Sequence, residues 1–218
     1  MKLMTPIILL ALLYLAVVAG TYFAQNRLLY FPDTAGPDRA KHLGLEPWPD
    51  HDSYLGFVSG TPPETPKGTF LVWHGNAGSA LDRAYYTRAL ETRGYRVVLL
   101  EYPAYGTREG KLGEASFVAD AERAAGLAAE QFGGALYALG ESMGCGVASA
   151  VAANPDNRIE GVVLITPWAS LPDLAQSLYW YLPAKWLTRD RYDNVRNLQM
   201  YGGPVAVAIC SEDEVIPN

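Results

Sequence analysis

The sequence predicts an α/β protein, a mostly parallel sheet with helices on both faces, preceded by one helix long enough to cross a membrane. Three observations point there. From residue 69 onward, apolar runs of strand length alternate with segments of helix length, as in a sheet buried on both sides. Each run ends in a turn of glycine, proline or polar residues, and in such sheets ligands bind beyond the carboxyl ends of the strands. Residues Thr5–Ala24 are almost wholly apolar, which is close to the roughly 20 residues that a spanning helix needs.

The 218 residues suffice for one domain with a sizeable core, and 50% hydrophobic with 18% charged residues is a globular composition. A net charge of −6 without a basic run makes nucleic acid a poor partner. Two cysteines, Cys145 and Cys210, give neither a disulfide framework nor a metal spacing. Both sit in apolar runs and read as small buried residues. Nothing in the pattern asks for a metal or another cofactor.

Taken in order, the apolar run Thr5–Ala24 follows Lys2 and precedes Arg27. It reads as an uncleaved single-pass anchor, because it is longer than a signal core and ends in aromatic residues; the alternative is a signal peptide cut near Val17–Ala19. Positive charges lean toward a cytoplasmic domain, yet N-terminal anchors often export the domain attached to them, so the side stays open. The chain thus divides into residues 1–25, anchor or signal segment, and 26–218, the domain. Asn26–Trp48 reads as a linker, Asp52–Ser59 as an early strand, and Thr69–Trp73 as a buried strand ending in the turn His74–Gly78. Ser79–Arg93 is expected to be a helix capped by Ser79 with Asp82 in its first turn. Tyr95–Leu100 is the next strand, and Glu101–Gly106 its turn. Glu114–Phe132 is helical, with Phe117, Ala121, Ala124, Ala125 and Ala128 on one face and Gly133-Gly134 as its stop. Strands follow at Ala135–Leu139, Gly161–Thr166 and Pro204–Cys210.

Around Ala135–Gly146 the chain reads as strand, tight turn and small-residue helix, with Ser142 at the tip. The pattern Gly140-Glu-Ser-Met-Gly144 fits the nucleophile elbow G-x-S-x-G. Glycines suit a turn so sharply bent, and a serine before a helix start meets free N–H groups that favour developing negative charge. The plainer reading is a glycine-rich strand–helix turn. The motifs at the other strand ends favour the elbow.

With His74-Gly-Asn-Ala-Gly78, Tyr102-Pro-Ala-Tyr-Gly106, Gly140-Glu-Ser-Met-Gly144 and Asp213-Glu-Val-Ile-Pro217 in order, residues 26–218 resemble the α/β-hydrolase superfamily. The likeness is to the serine-aminopeptidase-like and dienelactone-hydrolase-like branch with an N-terminal membrane helix. The resemblance implies Ser142 as nucleophile and Asp213 as the acid that orients the catalytic histidine, with Glu212 and Glu214 as less fitting neighbours. It implies an oxyanion hole built from the backbone N–H groups of Met143 and Asn76. His74 belongs, by the same resemblance, to the oxyanion turn and not to the base. His42 and His51 read as surface residues, and Tyr102 and Tyr105 as residues that shape the turn.

The family's catalytic histidine follows the acid, whereas this sequence ends five residues past Asp213 without one. The expectation is a fragment lacking the last strand, last helix and histidine, and so inactive by itself; the alternative is a natural short product without a base. Residues 167–203 hold the fold's cap, here short. Its aromatic stretch Leu178–Trp186 is either a lid over an acyl pocket that touches lipid headgroups, or a helix packed on the core. The reading overall is a membrane-anchored serine hydrolase of esters, thioesters or amides, taking a small-molecule or lipid-like acyl substrate. The alternative is a catalytically inactive hydrolase-fold module that binds a lipid or protein partner at the membrane.

Overall fold

The chain opens with the 26-residue helix α1 (Met4–Leu29), none of whose residues is buried. The structure, a computed structural model, describes residues 4–209; residues 1–3 and 210–218 lie outside the description. After α1 come β1 (Phe31–Pro32), α2 (Pro37–His42), β2 (Leu45–Trp48), β3 (Gly56–Ser59), β4 (Thr69–Trp73) and β5 (Ala77–Gly78). A 3-10 turn (Ala80–Arg83) leads into α3 (Tyr85–Glu91), followed by β6 (Arg96–Leu100), α4 (Glu114–Phe132), β7 (Leu136–Glu141) and α5 (Met143–Ala153). The described chain closes with β8 (Ile159–Ile165), α6 (Leu171–Leu178), α7 (Ala184–Leu187), α8 (Asn194–Tyr201) and β9 (Val205–Ala208).

The main sheet has the order β2-β3-β6-β4-β7-β8-β9. Its five strands from β6 to β9 run parallel, and β2 and β3 add an antiparallel edge. Successive side chains on a strand point to opposite faces, so an unbroken apolar strand must be covered twice. Leu71, Trp73, Val98 and Leu100 join the core formed with α4 and α5. Their neighbours Val72, Val97 and Leu99 join a second core with Ala40, Ala80 and Leu81 on the opposite face.

Helix α4 has the expected bounds and buries the five expected residues, from Phe117 to Ala128. It stops at Gly133, whose φ of 61° only glycine adopts freely. Other expectations need correction. Residues 26–48 are not a linker: they contain the end of α1, then β1, α2 and β2. The early strand is a hairpin-like pair, β2 against β3, and not one run from Asp52. Pro47 hides β2 from sequence inspection, yet an edge strand tolerates a proline because one side of its backbone needs no partner. Ser79–Arg93 is broken into the 3-10 turn and α3, with Ser79 N–H and Oγ both donating to Asp82 Oδ2 at 2.9 and 3.3 Å. β9 forms one edge of the sheet among the described residues, and all four of its residues are exposed.

Candidate active site

Strand β7 ends at Glu141, and the chain turns into α5 through Ser142, whose φ of 54° and ψ of −115° lie where side chains are rarely tolerated. Close packing enforces the turn. A Cβ on Gly140 would sit 2.5 Å from the Cys145 backbone nitrogen, and one on Gly144 would overlap the Trp73 carbonyl oxygen. Both glycines of the G-x-S-x-G pattern therefore let α5 lie directly against β7 and β4. The turn is tied down by Ser142 N–H donating to the Ile165 carbonyl at 2.9 Å. Ser142 itself is half-buried. Cys145 is fully buried beneath it, its thiol against the Gly140 and Ile165 carbonyls, and burial pushes the thiol up to about 12.

The turn after β4 lies alongside. The position of a Gly75 Cβ is 3.6 Å from the Ser142 Cβ. Asn76 has its side chain and carbonyl committed: Nδ2 donates to the Leu29 carbonyl at 2.7 Å, while its oxygen accepts from Phe31 N–H at 2.9 Å and Tyr105 Oη at 2.6 Å. Tyr102 Oη likewise donates to the His74 carbonyl at 2.6 Å. The two tyrosines thus fix the turn by its carbonyls. Met143 is the first residue of α5, and N–H groups in a first helical turn have no intrahelical acceptor.

His74 is buried, with Nε2 2.8 Å from Glu101 Oε1 and Nδ1 2.8 Å from the Gly75 carbonyl. Both ring nitrogens are thereby occupied, and Glu101 also accepts from the Tyr102 and Ala80 N–H groups. The histidine locks the end of β4 to the end of β6. His42 and His51 are exposed in the segment before β3.

Sequence inspection missed one neighbour of Ser142. Glu141 is held by Arg83 at 2.6 Å and by the hydroxyls of Tyr85 and Tyr86 at 3.0 and 3.2 Å. The Arg83 guanidinium is also 3.7 Å from the position of a Gly75 Cβ. Burial alone would raise the Glu141 carboxyl. The Arg83 ion pair and the two tyrosine hydroxyls outweigh it and hold the carboxyl below its usual range. The available signal was a glutamate in the variable position before Ser142, which needs a partner when half-buried. Ser142, Met143 and the turn holding Asn76 are thus brought to one end of the sheet, and Asp213 lies outside the described residues.

The family described as the alpha/beta hydrolase fold matches residues 68–200, more than half of the chain. The chain belongs to the α/β-hydrolase fold family. This hydrolase-fold chain is 28% identical over 219 residues to an uncharacterised protein of Mycobacterium tuberculosis, covering 96% of this chain and 77% of the other. It is 28% identical over 166 residues to the lysophosphatidylserine lipase ABHD12 of Danio rerio, covering 67% of this chain and 44% of that one. Among solved structures, an esterase of Pyrococcus furiosus matches with a TM-score of 0.63 at 16% identity, over 86% of this chain and 79% of its own.

Proposed function

We propose that this hydrolase-fold protein is a membrane-anchored serine hydrolase that cleaves an ester, thioester or amide through an acyl-enzyme on Ser142. The observation that carries the reading is the strained Ser142 at the head of α5 with the Gly75 turn packed against it. Ser142 Oγ adds to the acyl carbonyl carbon, and the carbonyl oxygen becomes an oxyanion held by the N–H groups of Met143 and Asn76. The serine proton passes to the imidazole that this family pairs with its acid, Asp213 here by its motif. Collapse of the intermediate breaks the bond to the leaving alcohol, thiol or amine, which takes that proton. Water then releases the acid by the same two steps. His74 is not the base in this scheme, since both its ring nitrogens are occupied.

Helix α1 is, by length and composition, able to cross a membrane, which supports reading residues 5–24 as the anchor. The lipase name of the Danio rerio relative and the esterase of Pyrococcus furiosus support an acyl ester, lipid-like or small, as the substrate. The full-length protein in its native membranes should be labelled by a fluorophosphonate probe, and Ser142→Ala should abolish the label. An unlabelled wild type would sink the reading.

A further inference from the structure

The cap meets α1 far along the helix, not only at its foot. Near the domain, Gln25 Nε2 donates to the Leu187 carbonyl and Gln25 Oε1 accepts from Arg189 N–H, both at 3.0 Å. The Arg189 guanidinium reaches Asn26 Oδ1 at 3.0 Å and lies over the Tyr22 ring. Higher up, Tyr14 Oη donates to the Tyr181 carbonyl at 3.1 Å. At 1.5 Å per residue, Tyr14 is about 12 Å further from the domain than Tyr22 and about 22 Å from Leu29. The connection between α6 and α7 therefore runs beside this apolar helix as far as about its middle.

The chemistry of that connection matches its position. Residues 174–184 contain no charged side chain, and neither do residues 3–26 beside them. Trp180 is 78% exposed and Trp186 88%, with Tyr179 and Tyr181 also exposed, whereas water-facing surfaces seldom gather such aromatics. Cations collect at the domain end: Arg27 and Arg189 lie there, and Lys185 pairs with Asp173. Aromatic groups deeper and cations shallower is the order of a membrane interface.

The backbone is prepared for a dry setting as well. Outside a helix, a carbonyl in hydrocarbon must find a partner within the protein. The Tyr181, Leu182 and Leu187 carbonyls each accept from a side chain, those of Tyr14, Gln176 and Gln25. The Leu182 and Trp186 N–H groups donate to the Tyr179 and Pro183 carbonyls at 2.9 and 3.1 Å.

We propose that the α6–α7 segment Leu178–Trp186 is seated in the near leaflet of the bilayer beside α1, with lipid acyl chains covering its exposed aromatic face. This rests on the reading of α1 as a membrane span.

The test uses the full-length protein in phosphatidylcholine vesicles, with and without bromine on the lipid acyl chains. Flotation first reports whether the protein binds the vesicles; failure to float would overturn the anchor reading and this proposal together. For floated protein, brominated lipid should quench tryptophan emission, and iodide in the water should not. The bromine effect should largely disappear in Trp180→Phe/Trp186→Phe, since Trp48 and Trp73 are buried in the core and Trp168 is packed against it. Floated protein quenched by iodide and not by bromine would overturn the proposal and leave the anchor standing. Shielding from both quenchers would also overturn it, and would assign the surface to a protein partner.

Discussion

Ser142 is held in a conformation that costs a non-glycine residue about 1–3 kcal/mol. Ser142→Gly should therefore abolish probe labelling while raising the unfolding free energy by about 1 kcal/mol, read from urea titrations. Gly144→Ala should do the reverse to the scaffold. Its methyl group has nowhere to go but into the Trp73 carbonyl, so a loss of roughly 3 kcal/mol or more is expected, with little folded protein recovered. Arg83→Ala tests the Glu141 ion pair, whose two side chains are only 18% and 20% exposed. Glu141 has its carboxyl depressed in the folded state, so its contribution is full above the ordinary value of 4.5 and fades as pH falls through the folded value. The variant should be less stable by about 1–3 kcal/mol at neutral pH, and the gap should narrow as pH falls below 4.5. A gap that persists in acid would mean that packing, not charge, explains the loss.

At the scale of elements, α4 is the best read from sequence, because apolar residues spaced three and four apart and a double-glycine stop are local signals that need no tertiary context. Its Phe117 packs against Tyr30, Tyr102 and Tyr105, so Phe117→Ala should cost about 3–5 kcal/mol in a denaturation series. The elbow was legible for the same reason: Gly140, Ser142 and Gly144 are close in the chain and each answers a contact within a few ångströms. β2 and α2 were not legible, since a four-residue strand containing Pro47 and a six-residue helix are too short to show a periodic pattern. The Arg83–Glu141 pair was invisible for another reason, with 58 residues separating its members. Of the proposed site, Asp213 is the residue carried by motif alone. β9 makes a further prediction at this scale. Its exposed Val205 and Val207 line a sheet edge, so Val207→Lys should reduce self-association of the 218-residue chain in light scattering.

On the scale of the whole molecule, α1 is joined to the domain by more than its peptide bond. It carries the cap through Tyr14 near its middle and Gln25 near its foot, while its end meets the turn beside Ser142. Removing one of these contacts, by Tyr14→Phe, should leave probe labelling in place and loosen only the cap, seen as faster hydrogen exchange over residues 178–187. The lower junction is less forgiving. β1 pairs with β5 residue for residue, Phe31 with Ala77 and Pro32 with Gly78, and the Leu29 carbonyl is held by Asn76. Separating the domain from α1 is thus not a neutral act. A protease that cuts just after Ala24 frees a body whose Asn76–Gly78 turn is still braced. One that cuts after Asp33, nine residues on, takes away the strand that braces it. Where the cut falls decides whether the released piece keeps the turn beside Ser142 in place.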